Sequence, residues 1–118
     1  MKVIYNRFIP FKGFFAINLF GILFVRKEKG NPEPYVSPRI INHEAIHTKQ
    51  MQEMAFIFFY IWYFIEWLIK LVFPPYNSAY KDISFEREAY ANEGNLKYLK
   101  SRKKYNWINN VLKYGKTF

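Results

Sequence analysis

The chain has 118 residues and a mass of 14.4 kDa, room for one hydrophobic core and not two. Half of it (51%) is apolar and 22% is aromatic, which excludes a disordered tail or a collagen-like repeat, and the absence of cysteine excludes disulfides, thiolate metal sites and cysteine nucleophiles. The formal charge of +9 is unevenly spread: residues 94–118 carry seven basic groups and no acidic one. Such an end is attracted to phosphate, on a lipid or a nucleic acid, and also reads as a solvated helix face.

In chain order, residues 2–9 and 14–26 are rich in β-branched and aromatic types, with Gly13 between them and Gly21 marking a bulge or bend. They predict two or three strands in a hairpin-based sheet. No signal peptide precedes them, so the expected location is cytoplasmic, with attachment to a membrane surface left open. Three prolines and a glycine make residues 27–38 a loop, ending where Ser37 can cap a helix and Pro38 can take its first position. From Arg39 to Phe73 there is neither Gly nor Pro, which allows one very long helix or two with a bend. Pro74-Pro75 stops it, and Asn77 or Ser78 starts a second helix reaching about Lys103, with Gly94 a possible break. Its apolar stripe holds Phe85, Ala89, Asn92, Leu96 and Leu99. A short last helix over 105–114 completes an α+β reading with one domain: strands in 1–30, a long helical region in 37–73, and further helices in 77–118.

The chemistry is carried by His43-Glu44-Ala45-Ile46-His47, an HExxH motif on a predicted helix. Residues four apart lie one turn apart on one face, so both imidazoles can reach a single zinc at about 2.0–2.1 Å. Glu44 does not easily ligate from the same turn, but it can take a proton from water at that zinc. The histidines are the only two in the chain. A third ligand therefore has to be a carboxylate, and it should come from another helix. Glu86 is the best candidate, with Glu93 (seven residues on, roughly on the same face) and Glu88 as runners-up.

HExxH, an apolar passage, an Asn-containing turn and then a glutamate-bearing helix resembles the gluzincin metallopeptidases. The closest likeness is to membrane-linked ones such as the peptidase part of β-lactam-sensing transducers. Here the pattern runs from His43–His47 through the apolar 54–73 stretch and Asn77-Ser78 to Phe85-Glu86-Arg87-Glu88-Ala89-Tyr90, covering about residues 37–93. The resemblance implies a small zincin-like domain with one zinc per chain held by His43, His47 and Glu86. It also implies Glu44 as general base and an edge strand within residues 14–26 beside the metal to receive peptide. Tyr90 stands where the family commonly has Asp or Asn to orient a histidine ligand, and Gln50 can serve instead. Tyr90 is also a candidate transition-state stabiliser.

Residues 54–73 are long and apolar enough to cross a bilayer but contain Glu66 and Lys70, which share a face with Tyr63. A core helix, a helix lying in the membrane interface and a spanning helix all fit that pattern. The basic C-terminal end, with Tyr98, Tyr105 and Trp107 interleaved, adds a membrane-surface signal, while no nucleic-acid-binding motif is present. The expected function is a zinc-dependent peptidase acting on a peptide or protein, capable of homo-oligomer formation. A zincin-like metal-binding protein without peptidase activity and a basic membrane-surface module are the alternatives.

Overall fold

The computed structural model describes residues 1–73 and 79–113. Three strands come first: β1 (Lys2–Asn6), β2 (Ala16–Leu19) and β3 (Ile22–Arg26). The helices follow as α1 (Pro38–Glu53), α2 (Ile57–Val72), α3 (Ala79–Asp82), α4 (Ser84–Asn92) and α5 (Tyr98–Ser101), and a 3₁₀ turn spans Asn106–Asn110. The fold is thus α+β, a small three-stranded sheet followed by helices.

The sheet order is β1-β3-β2. β2 and β3 form an antiparallel hairpin, but β1 runs parallel to β3, so the sheet is only partly hairpin-based. Gly21 is the hairpin turn and not a bulge. Phe20 and Gly21 both have positive φ (53° and 89°), as a tight two-residue turn requires. A Cβ on Gly21 would also lie 3.2 Å from Thr48 Cγ2, so the turn sits directly against α1. Among the described residues no strand pairs with the outer edge of β2, whose Asn18 carbonyl accepts from the Tyr60 hydroxyl at 3.3 Å.

Ser37 caps α1 by accepting from the Ile40 amide at 3.2 Å, with Pro38 in the first turn. The Gly-free run to Phe73 is two helices. Ala55 and Phe56 take left-handed φ values of 51° and 60°, the α1 ladder ends there, and α2 departs at 107°. The core lies in the angle between them and is built from Met51, Phe59, Ile83, Phe85 and Trp107.

The helix expected from Asn77 or Ser78 to Lys103 is three pieces, and its start and the Pro74-Pro75 stop lie outside the described residues. The expected stripe is buried at Phe85 and Ala89, but Leu96 is exposed because α4 has already ended. α4 is held at both ends by other helices. At its start, the Glu66 carboxylate accepts from the Ser84 amide and hydroxyl, both at 2.6 Å. At its end, Asn42 Nδ2 donates to the carbonyls of Asn92, Glu93 and Asn95 at 3.2, 2.8 and 3.0 Å. These contacts satisfy terminal groups that have no partner within the helix. They also set the register of α4 against α1, which places Glu86 opposite His43 and His47.

Candidate metal centre

The Nε2 atoms of His43 and His47 lie 3.1 Å apart. Glu86 Oε1 is 3.2 Å from the first and 3.1 Å from the second. A tetrahedral ion with bonds of about 2.0–2.1 Å spaces its ligand atoms about 3.3 Å apart, so this triangle fits a divalent metal nearly as it stands. All three side chains are buried. Two imidazoles and a carboxylate, with no thiolate, are a donor set suited to an ion that keeps one coordination position open. His43, Glu44 and His47 also form a group whose candidate ligand atoms lie within 4.8 Å of one another, able to hold a metal ion. Glu86 makes the closer approach to both imidazoles.

Each of the three side chains is oriented by a second residue. His43 Nδ1 donates to Glu93 Oε1 at 2.9 Å, and Glu93 is in turn paired with Arg39. His47 Nδ1 donates to Gln50 Oε1 at 2.8 Å. The Gln50 amide cannot be turned round, because its Nε2 donates to the Phe85 carbonyl at 3.0 Å and to Glu88 Oε1 at 2.9 Å. Both imidazoles thus present Nε2 to the common point. Glu86 Oε2 accepts from the Tyr63 hydroxyl at 2.8 Å, leaving Oε1 turned to the two imidazoles.

The charges of the three groups are strongly coupled. Burial pulls the His47 pKa down, but the adjoining Glu86 carboxylate outweighs it and raises the imidazole to about 9. Burial pushes Glu86 up, and the two imidazoles overcome that and hold it well below the usual carboxylate range. Burial first and then Glu86 raise the Tyr63 and Tyr80 phenols, so both stay protonated as donors.

Among the residues singled out in the sequence, His43, His47 and Glu86 converge on this point, Glu44 is grouped with the two histidines, and Gln50 holds His47 from its far nitrogen. Glu88 and Glu93 do not reach it as ligands. Glu93 orients His43, while Glu88 holds Gln50 and is itself gripped by Tyr98 and Arg102. Arg102 also forms a two-pronged pair with Glu53 at 2.8 and 3.0 Å, tying α5 to the end of α1. The Tyr90 ring stands edge-on to His43, with centroids 4.7 Å apart. Tyr63, Tyr80 and Arg102 escaped sequence reasoning as site residues. Only Tyr63 left a signal, sharing a face with Glu66 and Lys70.

A cavity of about 290 Å³ opens on the site, bounded by Glu44, His47 and Glu86 on one side and β2 residues Ala16–Leu19 on the other, with Tyr60 and Tyr80 at its walls. Glu44 and Tyr80 also border a second cavity of about 260 Å³ beside His43 and Tyr90. Asn18 fixes the approach of β2 to α1 by donating to the Glu44 carbonyl at 3.0 Å.

No protein-family profile, curated protein or solved structure matches the chain. Among the described residues no single helix is long and apolar enough to cross a membrane.

Proposed function

We propose that the chain is a zinc-dependent metallopeptidase of gluzincin type, with a zincin-like arrangement in which His43, His47 and Glu86 are the ligands. The observation that carries this reading is the triangle of two imidazole nitrogens and one carboxylate oxygen, 3.1–3.2 Å on a side, with Glu44 beside it.

When bound, zinc supplies Lewis acidity to a carbonyl and to water. The chain's own residues do the rest. Glu44 borders both cavities and is placed to accept the proton of the attacking water and to pass it to the leaving amine. The outer edge of β2, to which no described strand pairs, lines the cleft and offers main-chain groups to an extended peptide, with Tyr60 on the Asn18 carbonyl. Tyr80, which lines both cavities and whose hydroxyl stays protonated, is a candidate donor for the developing oxyanion. Tyr90, packed edge-on against His43 and bordering the second cavity with Glu44, is the other candidate for that role.

The test uses metal content and hydrolysis together. The purified chain should carry about one zinc, lose it in His47→Ala, and keep it in Glu44→Gln while hydrolysis of a peptide library disappears. A folded chain that takes up no divalent metal overturns the proposal. A zinc-loaded chain inactive on every peptide offered supports the metal-binding reading without peptidase activity instead.

A further inference from the structure

Helix α2 is amphipathic with its faces reversed. Ten of its sixteen residues are exposed, and every one of them is apolar. Its two charged residues, Glu66 and Lys70, are buried at 6% and 3% exposure, joined at 2.6 Å and turned against α3 and α4. A water-facing helix does the opposite. The exposed positions Ile57, Ile61, Phe64, Ile65, Leu68 and Val72 recur at helical spacing and make one continuous face. A contiguous apolar area of this kind marks an interaction surface.

The face continues into the N-terminal part of the chain. Phe20, at the β-hairpin turn, lies 6.3 Å from Phe56 and 5.4 Å from Tyr60, ring centre to ring centre. Beyond it, Phe8, Phe11, Phe14 and Ile17 line an apolar groove of about 390 Å³, and Phe8 and Phe11 are 84% and 81% exposed.

We propose that this surface docks on an anionic lipid bilayer, with α2 lying along the membrane and the Phe8–Phe15 loop inserted beside it. Sixteen helical residues extend about 24 Å, less than the roughly 30 Å hydrocarbon core, so α2 lies in the interface and does not cross. The flanking charge selects the lipid. Residues 1–27 contain Lys2, Arg7, Lys12 and Lys27 and no acid, Arg26 being paired with Glu28. On the other side, Trp107 packs on Trp62 of α2 at 5.2 Å, and its segment, residues 94–113, exposes Lys97, Lys100, Lys103, Lys104 and Lys113 and contains no acid, while Arg102 is engaged by Glu53 and Glu88. Basic segments beside an apolar face are drawn to anionic headgroups. A second copy of the chain would instead bring the same positive segments together. The inference does not depend on the metal.

The test mixes the full chain with vesicles of phosphatidylcholine containing about 30% phosphatidylglycerol and with pure phosphatidylcholine. Partition should be at least tenfold stronger on the anionic vesicles, with the difference shrinking in 0.5 M salt. Lipids with brominated acyl chains should quench tryptophan fluorescence, since Trp62 sits on the exposed face. Two surface variants, Ile61→Ser/Phe64→Ser/Leu68→Ser in α2 and Phe8→Ser/Phe11→Ser in the loop, should each lower partition at least tenfold with unchanged circular dichroism. The proposal is overturned by absence of partition, by both variants binding like the parent, or by a stable dimer that the α2 variant dissociates while vesicles bind neither form.

Discussion

Glu93 Oε1 accepts a hydrogen bond from His43 Nδ1 at 2.9 Å, so in the proposed centre this acid orients a ligand and does not ligate. Glu86 and Glu93 lie seven residues apart and roughly on one face, yet they serve opposite nitrogens of the same ring. That gives a clean contrast. Glu86→Ala should leave the chain unable to hold zinc at stoichiometric concentration. Glu93→Ala should keep the one-to-one stoichiometry and weaken affinity by about 10–100-fold, read by competition against a zinc chelator. Equal effects from the two variants would contradict the assignment.

Zinc binding should release a proton. With His47 raised to about 9, the metal-free site at pH 7 carries a proton between His47 and Glu86 that the metal must displace. Calorimetry in two buffers of different ionisation enthalpy should find about one proton released per zinc at pH 7. Apparent affinity should rise about tenfold per pH unit between pH 6.5 and 8. Binding without proton release would contradict the charge state described above.

The same groups set the pH dependence of stability in the metal-free chain. His47 has a folded pKa above its ordinary value of 6.5, so its contribution is complete below pH 6.5 and disappears as pH rises through about 9. Glu86 is shifted down, so its contribution is complete above its ordinary value of 4.5 and is lost as the pH falls below that. Urea unfolding in the presence of a chelator should therefore show this site stabilising most between pH 4.5 and 6.5. Zinc should reverse the upper limb, because fewer protons compete with it as pH rises.

Glu66 should be among the most sensitive positions outside the metal centre. Its carboxylate accepts from Lys70 Nζ, the Ser84 amide and hydroxyl, and Trp62 Nε1 at 2.6–2.8 Å. Removing one partner of a buried ion pair costs about 3–5 kcal/mol, and Glu66→Ala also uncaps α4. Lys70→Met should cost less, since Glu66 keeps three donors. Thermal unfolding of the two variants measures the difference.

The local rules were readable in the sequence where one residue decides the outcome. HExxH put two imidazoles on one turn, and Ser37-Pro38 opened α1. Eliminating Cys and further His left a carboxylate as third ligand. What could not be read was set by contacts distant in sequence. Nothing local stops α1 at Glu53, because the bend relies on Ala55 and Phe56 in left-handed backbone, a conformation non-glycine residues enter only under tertiary constraint. Arg102 is one basic residue among six in its segment until Glu53 and Glu88 converge on it. The apolar 54–73 run is compatible with a core helix, an interfacial helix and a spanning helix, and the burial of Glu66 and Lys70 decides which face points inward.

The convergence of His43, His47 and Glu86 on one ion is tested most directly by zinc-edge X-ray absorption on the zinc-loaded chain. One zinc with two imidazole nitrogens and oxygen donors, all at about 2.0–2.1 Å, is the expected result, with the protein oxygen lost in Glu86→Ala. A first shell of one imidazole or none, or a spectrum unchanged by Glu86→Ala, would contradict it.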